Sequence, residues 1–319
     1  MEVSAYVGFR EKLVTSVSKA IVGKPAVIDL VAYDLLVGGN ILFEDFPGLG
    51  KTTLAKAVAK ATGCEFKRIQ FTADLLPSDV TGTYVLDQAG KFRFLKGPVF
   101  TQILLADEIN RSPPKTQSAL LEAMQEHQVT SENQTLPLPE PFIVFATQNP
   151  IEYEGTYPLP EAQMDRFTLR LRMGYPGHND EVAILDLRKT QGDELLPVER
   201  VSSPEEIISL QSRLDQVFVD DDLKHYMVEI SSKTRSDTGV EVGVSPRGTI
   251  HLSRLARAKA ACSGRDYVTP DDIKELAVPV LAHRVVLNAD VELTGLGKER
   301  IVERALSETP VPKVKDSES

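Results

Sequence analysis

A chain of 319 residues, 42% hydrophobic and 26% charged, has the length and apolar content for two folded domains, which excludes the disordered and fibrous classes. Its net charge of −10 offers nucleic acid no general electrostatic footprint and leaves only a local basic patch for that role. No apolar run approaches the roughly 20 residues of a membrane span, and the N-terminal "MEVSAYVGFREKL" lacks the basic flank and apolar run of a signal peptide.

Between Asn40 and Met173 short apolar runs alternate with helical patterns. "NILFED", "EFKRIQF", "TQILLADE", "FIVFATQN" and "TLRLRM" are the expected strands. "ILF", "ILLA" and "FIVFA" are continuously apolar, as parallel strands covered on both faces are. "KTTLAKAVAKAT" follows the first as a helix with Leu54, Val58 and Ala61 on one face. "PPKTQSALLEAMQEH" follows the third, with Ser112 as N-cap, Pro113 at the first helical position, and Leu120, Leu121 and Met124 facing inward. This alternation predicts a doubly wound α/β domain over residues 1–175. After "GYPGHND" strand signals disappear, and Ser203, Ser245 and Thr269 each precede a proline that can open a helix. An all-helical domain is expected over 176–308, and a disordered tail over 309–319.

Asp45 to Thr52 has the spacing G-x-x-x-x-G-K-[ST], with Asp in place of the first Gly. Gly48 and Gly50 let the backbone wrap closely, so that successive N–H groups face phosphate oxygens. Lys51 is placed to reach the β- and γ-phosphates, and the Thr52 hydroxyl to join the shell of Mg²⁺. The helix from Lys51 adds its positive end. A chance G-x-G-K-T in a turn is the rival, but the motif stands directly between an apolar strand and a helix. "QILLADE" ends a strand in Asp107 and Glu108. Phosphoryl transfer divides labour in this way, one carboxylate by the metal and one polarising water. Alone, such a pair is more often a solvated turn; behind a phosphate loop it points to an ATPase. "FATQNP" ends the next strand in Gln148 and Asn149, amides able to bond the attacking water and the γ-phosphate. In isolation, an Asn before Pro150 is simply a strand terminator.

With these motifs in order, the chain resembles the MoxR family of AAA+ ATPases over nearly its whole length. "LADEINRSPPKTQSALLEAMQEHQVT" and "FATQNPIEYEGTYPLPEAQMDRF" are the most specific stretches. The resemblance implies a P-loop AAA+ core, a parallel sheet flanked by helices, with a C-terminal helical lid. It places Ile21, Val22 and Gly23 against adenine, and Pro47, Gly48, Leu49, Gly50, Lys51, Thr52 and Thr53 around the phosphates of ATP. It makes Thr52 and Asp107 the Mg²⁺ residues and Glu108 the water-polarising base. Asn149 matches sensor 1, Arg166 the arginine finger and Arg247 sensor 2, with Arg111 a second basic candidate at the subunit boundary. "FTADLLPSDVTGTYVLD" would hold the insert in the second helix, and "HQVTSENQTLPLPEP" the hairpin before the sensor strand. Arg166 in isolation reads equally as a surface arginine. Arg247 in a helix's first turn opposes the helix dipole unless an anion such as a γ-phosphate compensates it. Family members admit either Gly or Asp at position 45, and Asp tolerates unusual backbone angles. Glu44 and Asp45 are expected to turn from the phosphates and bond neighbouring backbone.

The resulting expectation is a Mg²⁺-dependent, cytoplasmic ATPase in a homo-oligomeric ring, a hexamer. It would remodel client protein complexes, often ones with von Willebrand factor type A domains. The rivals are a nucleic-acid motor and a nucleotide-binding scaffold without turnover. Acidic balance and the absence of Lys or Arg from "SENQTLPLPEP" weigh against the motor. Intact Lys51, Asp107, Glu108 and Asn149 weigh against the scaffold. Cys64 and Cys262 read as ordinary thiols of a reducing compartment, and five scattered His carry no zinc motif.

Overall fold

The continuous apolar runs form the interior strands of a parallel sheet. The computed structural model describes residues 3–312 apart from 87, 89, 132–133, 151–154 and 192–196. Helices α1 (Ser4–Ser18) and α2 (Pro25–Val37) lead into β1 (Ile41–Glu44), α3 (Lys51–Thr62) and β2 (Phe66–Gln70). Next come α4 (Pro77–Thr81) and the hairpin β3 (Gly82–Leu86) with β4 (Phe92–Lys96). β5 (Ile103–Asp107), α5 (Pro114–Glu126), the hairpin β6 (Gln128–Ser131) with β7 (Gln134–Pro137), and β8 (Ile143–Gln148) follow. α6 (Glu161–Met164), β9 (Leu169–Leu171), α7 (His178–Gln191) and α8 (Pro204–Arg213) come after them.

The five-stranded sheet runs β2-β5-β8-β1-β9, every pair parallel. β1, β5 and β8 are buried up to their last residue. Leu42, Leu104 and Val144 share a core with Leu120, Leu121 and Met124 of α5, the inward face anticipated for that helix. β2 is an edge strand in which only Ile69 is buried. The register sets Glu44 opposite Gln148 and Gln70 opposite Asp107. The carboxyl ends of four neighbouring strands are therefore level, where open α/β sheets hold ligands.

The chain divides into two compact units, Gly8–Gln211 and a second from Ser212 onward joined by the first seven residues. The expected boundary at Tyr175-Pro176 falls inside the first unit. Hydrogen bonds account for this: Val201 and Ser202 donate backbone N–H to the Ala61 carbonyl (2.7 and 3.1 Å), and Gln211 donates to that of Leu35 (2.7 Å). The second unit holds α9 (Asp221–Ser236), β10 (Val240–Val242), α10 (Pro246–Cys262), α11 (Pro270–Leu281), β11 (Val286–Leu287), α12 (Ala289–Glu292) and α13 (Lys298–Glu308). It is the helical lid, except that β10 and β11 pair antiparallel, strands too short to leave a periodic signal.

Two local expectations need correction. α5 starts one residue later than anticipated, with Pro113 at its N-cap and Pro114 opening the helix, while the Ser112 hydroxyl donates to the Ile109 carbonyl. The proposed tail is ordered at its start, because Thr309 is buried and its hydroxyl donates to the Ala305 carbonyl (2.6 Å); residues 313–319 lie outside the described set.

Candidate active site

The loop between β1 and α3 opens one side of a cleft of about 380 Å³. Pro47, Gly48, Leu49, Gly50, Lys51, Thr52 and Thr53 line it. Gly48 and Gly50 have φ of 83° and 87°, and a Cβ at either would meet nothing within 4 Å. The constraint is the left-handed backbone, not crowding. Lys51 is buried, and its ammonium donates to the carbonyls of Asp45 and Phe46, both at 2.7 Å. One of its three protons is left for a ligand. Burial lowers its pKa below the usual lysine value, against the opposing pull of Asp45, Asp107 and Glu108.

Glu44 and Asp45 turn from this lysine by different routes. Asp45 Oδ2 accepts the Gly174 N–H at 2.9 Å, the backbone bond expected. Glu44 instead meets side chains: Arg170 at 3.1 Å, Arg172 at 3.2 Å and the Gln148 amide at 3.1 Å. Asp45 does not use the tolerance for unusual angles invoked for it. Among the described residues other than glycine, only Glu108 and His127 have positive φ.

Opposite the loop, the end of β5 presents both carboxylates. Glu108 is left-handed (φ 54°, ψ 51°), an uncommon conformation for a residue with a long side chain. One hydroxyl organises the pair: Thr147 Oγ1 accepts the Glu108 N–H at 2.8 Å and donates to Asp107 Oδ1 at 2.6 Å. The edge strand supplies the other partners. Arg68 reaches Asp107 Oδ2 through Nη2 (2.6 Å) and Nε (3.1 Å), and Nη2 also donates to the Gln70 amide oxygen at 2.9 Å. Gln70 then donates to Glu108 Oε2 at 2.7 Å, and Arg111 Nε lies 3.3 Å from the same oxygen. Arg111 is thus an ion-pair partner of the proposed base.

Arg68, Gln70 and Thr147 escaped sequence reasoning. Thr147 stands inside "FATQNP", but only the β5–β8 pairing brings it between the two carboxylates. Positions 68 and 70 share one face of a strand, a period-2 signal that names no target until the register is known. Asn149 lines the cleft, and its carbonyl accepts from the Asn110 amide at 3.4 Å. Gln148, the other amide considered, is tied to Glu44. Ile21, Val22 and Gly23 lie between α1 and α2, outside this lining, with Ile21 buried in the core. Arg166 follows α6, also outside the lining, and its side chain makes no hydrogen bond or ion pair among the described residues. Arg247 is the second residue of α10, in the other unit.

A hard divalent cation takes oxygen ligands, commonly one or two from protein and the rest from water and phosphate. The Thr52 hydroxyl and Asp107 Oδ2 line one cleft and offer such a pair, so Mg²⁺ fits the donor set. Among the described residues no three His, Cys, Asp or Glu converge into a dedicated cage.

Residues 40–169 match the ATPase family associated with various cellular activities (AAA), and residues 232–305 match the AAA lid domain. The uncharacterized protein YeaC of Bacillus subtilis is 49% identical over 94% of this chain and 94% of its own. Chaperone MoxR1 of Mycobacterium tuberculosis is 39% identical over 95% of this chain and 82% of its own. A crystal structure from Cytophaga hutchinsonii, assigned as an ATPase, superposes with a TM-score of 0.89 at 40% identity, covering 97% of this chain and 98% of the other. A nucleotide-phosphate loop, a carboxylate pair on the neighbouring strand and full-length similarity converge on one conclusion: the chain is an ATPase belonging to the MoxR family of AAA+ proteins.

Proposed function

We propose that this cleft hydrolyses ATP with Mg²⁺ and that turnover drives a homo-oligomeric, hexameric ring which remodels client protein complexes in the cytoplasm. The observation that carries the reading is the Asp107–Glu108 pair, its two members held by different partners and facing Lys51 across the cleft. Lys51 directs its remaining proton at the β/γ-phosphates, and the backbone N–H groups of residues 48–52 cradle them. Thr52 and Asp107 would hold Mg²⁺, which would neutralise charge on the phosphate oxygens. Glu108 accepts a proton from the attacking water, and Asn149 orients that water against the γ-phosphate.

The remaining roles rest on family similarity. Ile21, Val22 and Gly23 are assigned to adenine, Arg247 to sensing the γ-phosphate, and Arg166 to the site of an adjacent subunit. The client reading draws on the name chaperone carried by the MoxR1 relative, and proteins with von Willebrand factor type A domains are the clients we would test.

The experiment is a pair of substitutions. Lys51→Ala loses fluorescent-ATP binding. Glu108→Gln keeps binding, because Asp107 and the loop are intact, and loses roughly 10²–10⁴-fold in turnover. Wild-type hydrolysis by Glu108→Gln would overturn the assigned base.

A further inference from the structure

Asp107 has two carboxylate oxygens, and both have partners. Oδ1 accepts from the Thr147 hydroxyl at 2.6 Å, and the same hydroxyl accepts the Glu108 N–H. Oδ2 is therefore the oxygen from which a metal ion could be held, and it is the one that Arg68 grips with Nη2 at 2.6 Å and Nε at 3.1 Å. Mg²⁺ binds carboxylate oxygens at about 2.0–2.1 Å in near-octahedral geometry. A guanidinium sharing that oxygen would stand within a few ångströms of the ion, where like charges repel strongly in a partly buried cleft.

We propose that Arg68 is a positioning residue of the hydrolysis site, a built-in cation that competes with the divalent metal for Asp107 Oδ2 and leaves it when metal and nucleotide enter. The inference rests on the assignment of Asp107 as a metal residue. The local structure suits an arm that lets go. Arg68 lies on the edge strand, and its side chain is 47% exposed whereas that of Asp107 is 14% exposed. It lines the same cleft as the phosphate loop, so the displaced charge stays close to an incoming polyphosphate. Its second bond, from Nη2 to the Gln70 amide oxygen, is exposed, so water can replace Gln70 as the acceptor. The backbone ladder from Phe66 to Gln70 already joins β2 to β5, so the ion pair is not needed to pair those strands.

The test titrates Mg²⁺ into the full-length protein with a fluorescent adenine nucleotide and reads the metal midpoint for nucleotide binding. Bound Mn²⁺ is counted in parallel by electron paramagnetic resonance. Arg68→Gln and Arg68→Met should lower the midpoint on the order of tenfold by removing the competing charge. Arg68→Lys, which keeps the charge, should stay near wild type. Midpoints equal to or above wild type in both neutral variants would overturn the proposal. So would loss of the folded circular-dichroism signal in both, which would make the ion pair structural. Asp107→Asn separates the two ideas. If it abolishes the metal response while the Arg68 variants behave as wild type, the metal site stands and the competition falls. If Asp107→Asn responds to metal as wild type does, the metal assignment itself has failed.

Discussion

Thr147 shows how much one small side chain controls in this site. Its hydroxyl donates its proton to Asp107 and accepts the Glu108 N–H, so it fixes the carboxylate of one and the backbone of the other. Thr147→Val preserves shape and removes both bonds. The Glu108 N–H then loses its partner in a part-buried position, at about 1–3 kcal/mol. Turnover should fall about 10–100-fold, as for other groups that orient a metal or base residue, with ATP affinity little changed. Steady-state ATPase beside equilibrium nucleotide binding checks this; an equal loss in both would make Thr147 a binding residue. The phosphate-loop residues were legible from spacing because each is close in sequence to the next. Thr147 was not, since its partners lie 39 and 40 positions away.

Helix α11 illustrates an element whose first turn carries its own stability switch. Asp272 is 2% exposed, and its carboxylate accepts the Thr269 N–H and hydroxyl, both at 2.9 Å, and two bonds from Arg265 at 2.8 Å. Burial alone would raise its pKa, but the Arg265 and Thr269 bonds together outweigh it and hold the carboxyl below the usual range. A depressed folded pKa contributes stability that is complete above the unfolded value, about 3.9, and is lost as pH falls through the folded one. Arg265 stays protonated throughout. Asp272→Asn should therefore cost roughly 3–5 kcal/mol near neutrality. Its melting-temperature gap from wild type should be constant between about pH 5 and 8 and narrow below about pH 4. A gap that keeps its size under acid would show that the pair does not carry the effect. The sequence announced this helix through Thr269-Pro270, whereas the β3–β4 hairpin was anticipated only in part, as an insert, with neither strand read. "KFRFLK" lacks strict alternation of apolar and polar residues, and Phe92 and Leu95 remain 76% and 58% exposed.

At the scale of the whole molecule, Arg166 tests the proposed ring. It stands outside the cleft lining with no ion pair among the described residues, which suits a cation used by another copy. Arg166→Ala should bind ATP and assemble, yet lose roughly 10³–10⁵-fold in rate, as sites deprived of an arginine finger do. Lys51→Ala subunits bind no ATP but still carry Arg166. Mixing the two inactive proteins should restore ATPase wherever a Lys51→Ala subunit offers its finger to an Arg166→Ala site. Activity across mixing ratios, with co-assembly followed by light scattering, decides the matter. No recovery in proven mixed assemblies would rule out a finger acting between subunits.

The sequence by itself determined the parallel α/β body, the phosphate loop, the carboxylate pair and the helical lid. Those features live in short-range patterns: apolar runs of strand length, prolines at helix starts, and a loop whose chemistry is contiguous. Tertiary structure alone decided that Glu44 meets Arg170 and Arg172, that Thr147 bridges Asp107 and Glu108, and that Arg68 and Gln70 on the edge strand hold the two carboxylates. It also decided that the segment after Tyr175 belongs with the first compact unit as far as Gln211. The reason is common to all of these. Strand order and register bring together residues far apart in the chain, and no local period or spacing encodes which strand will lie beside which.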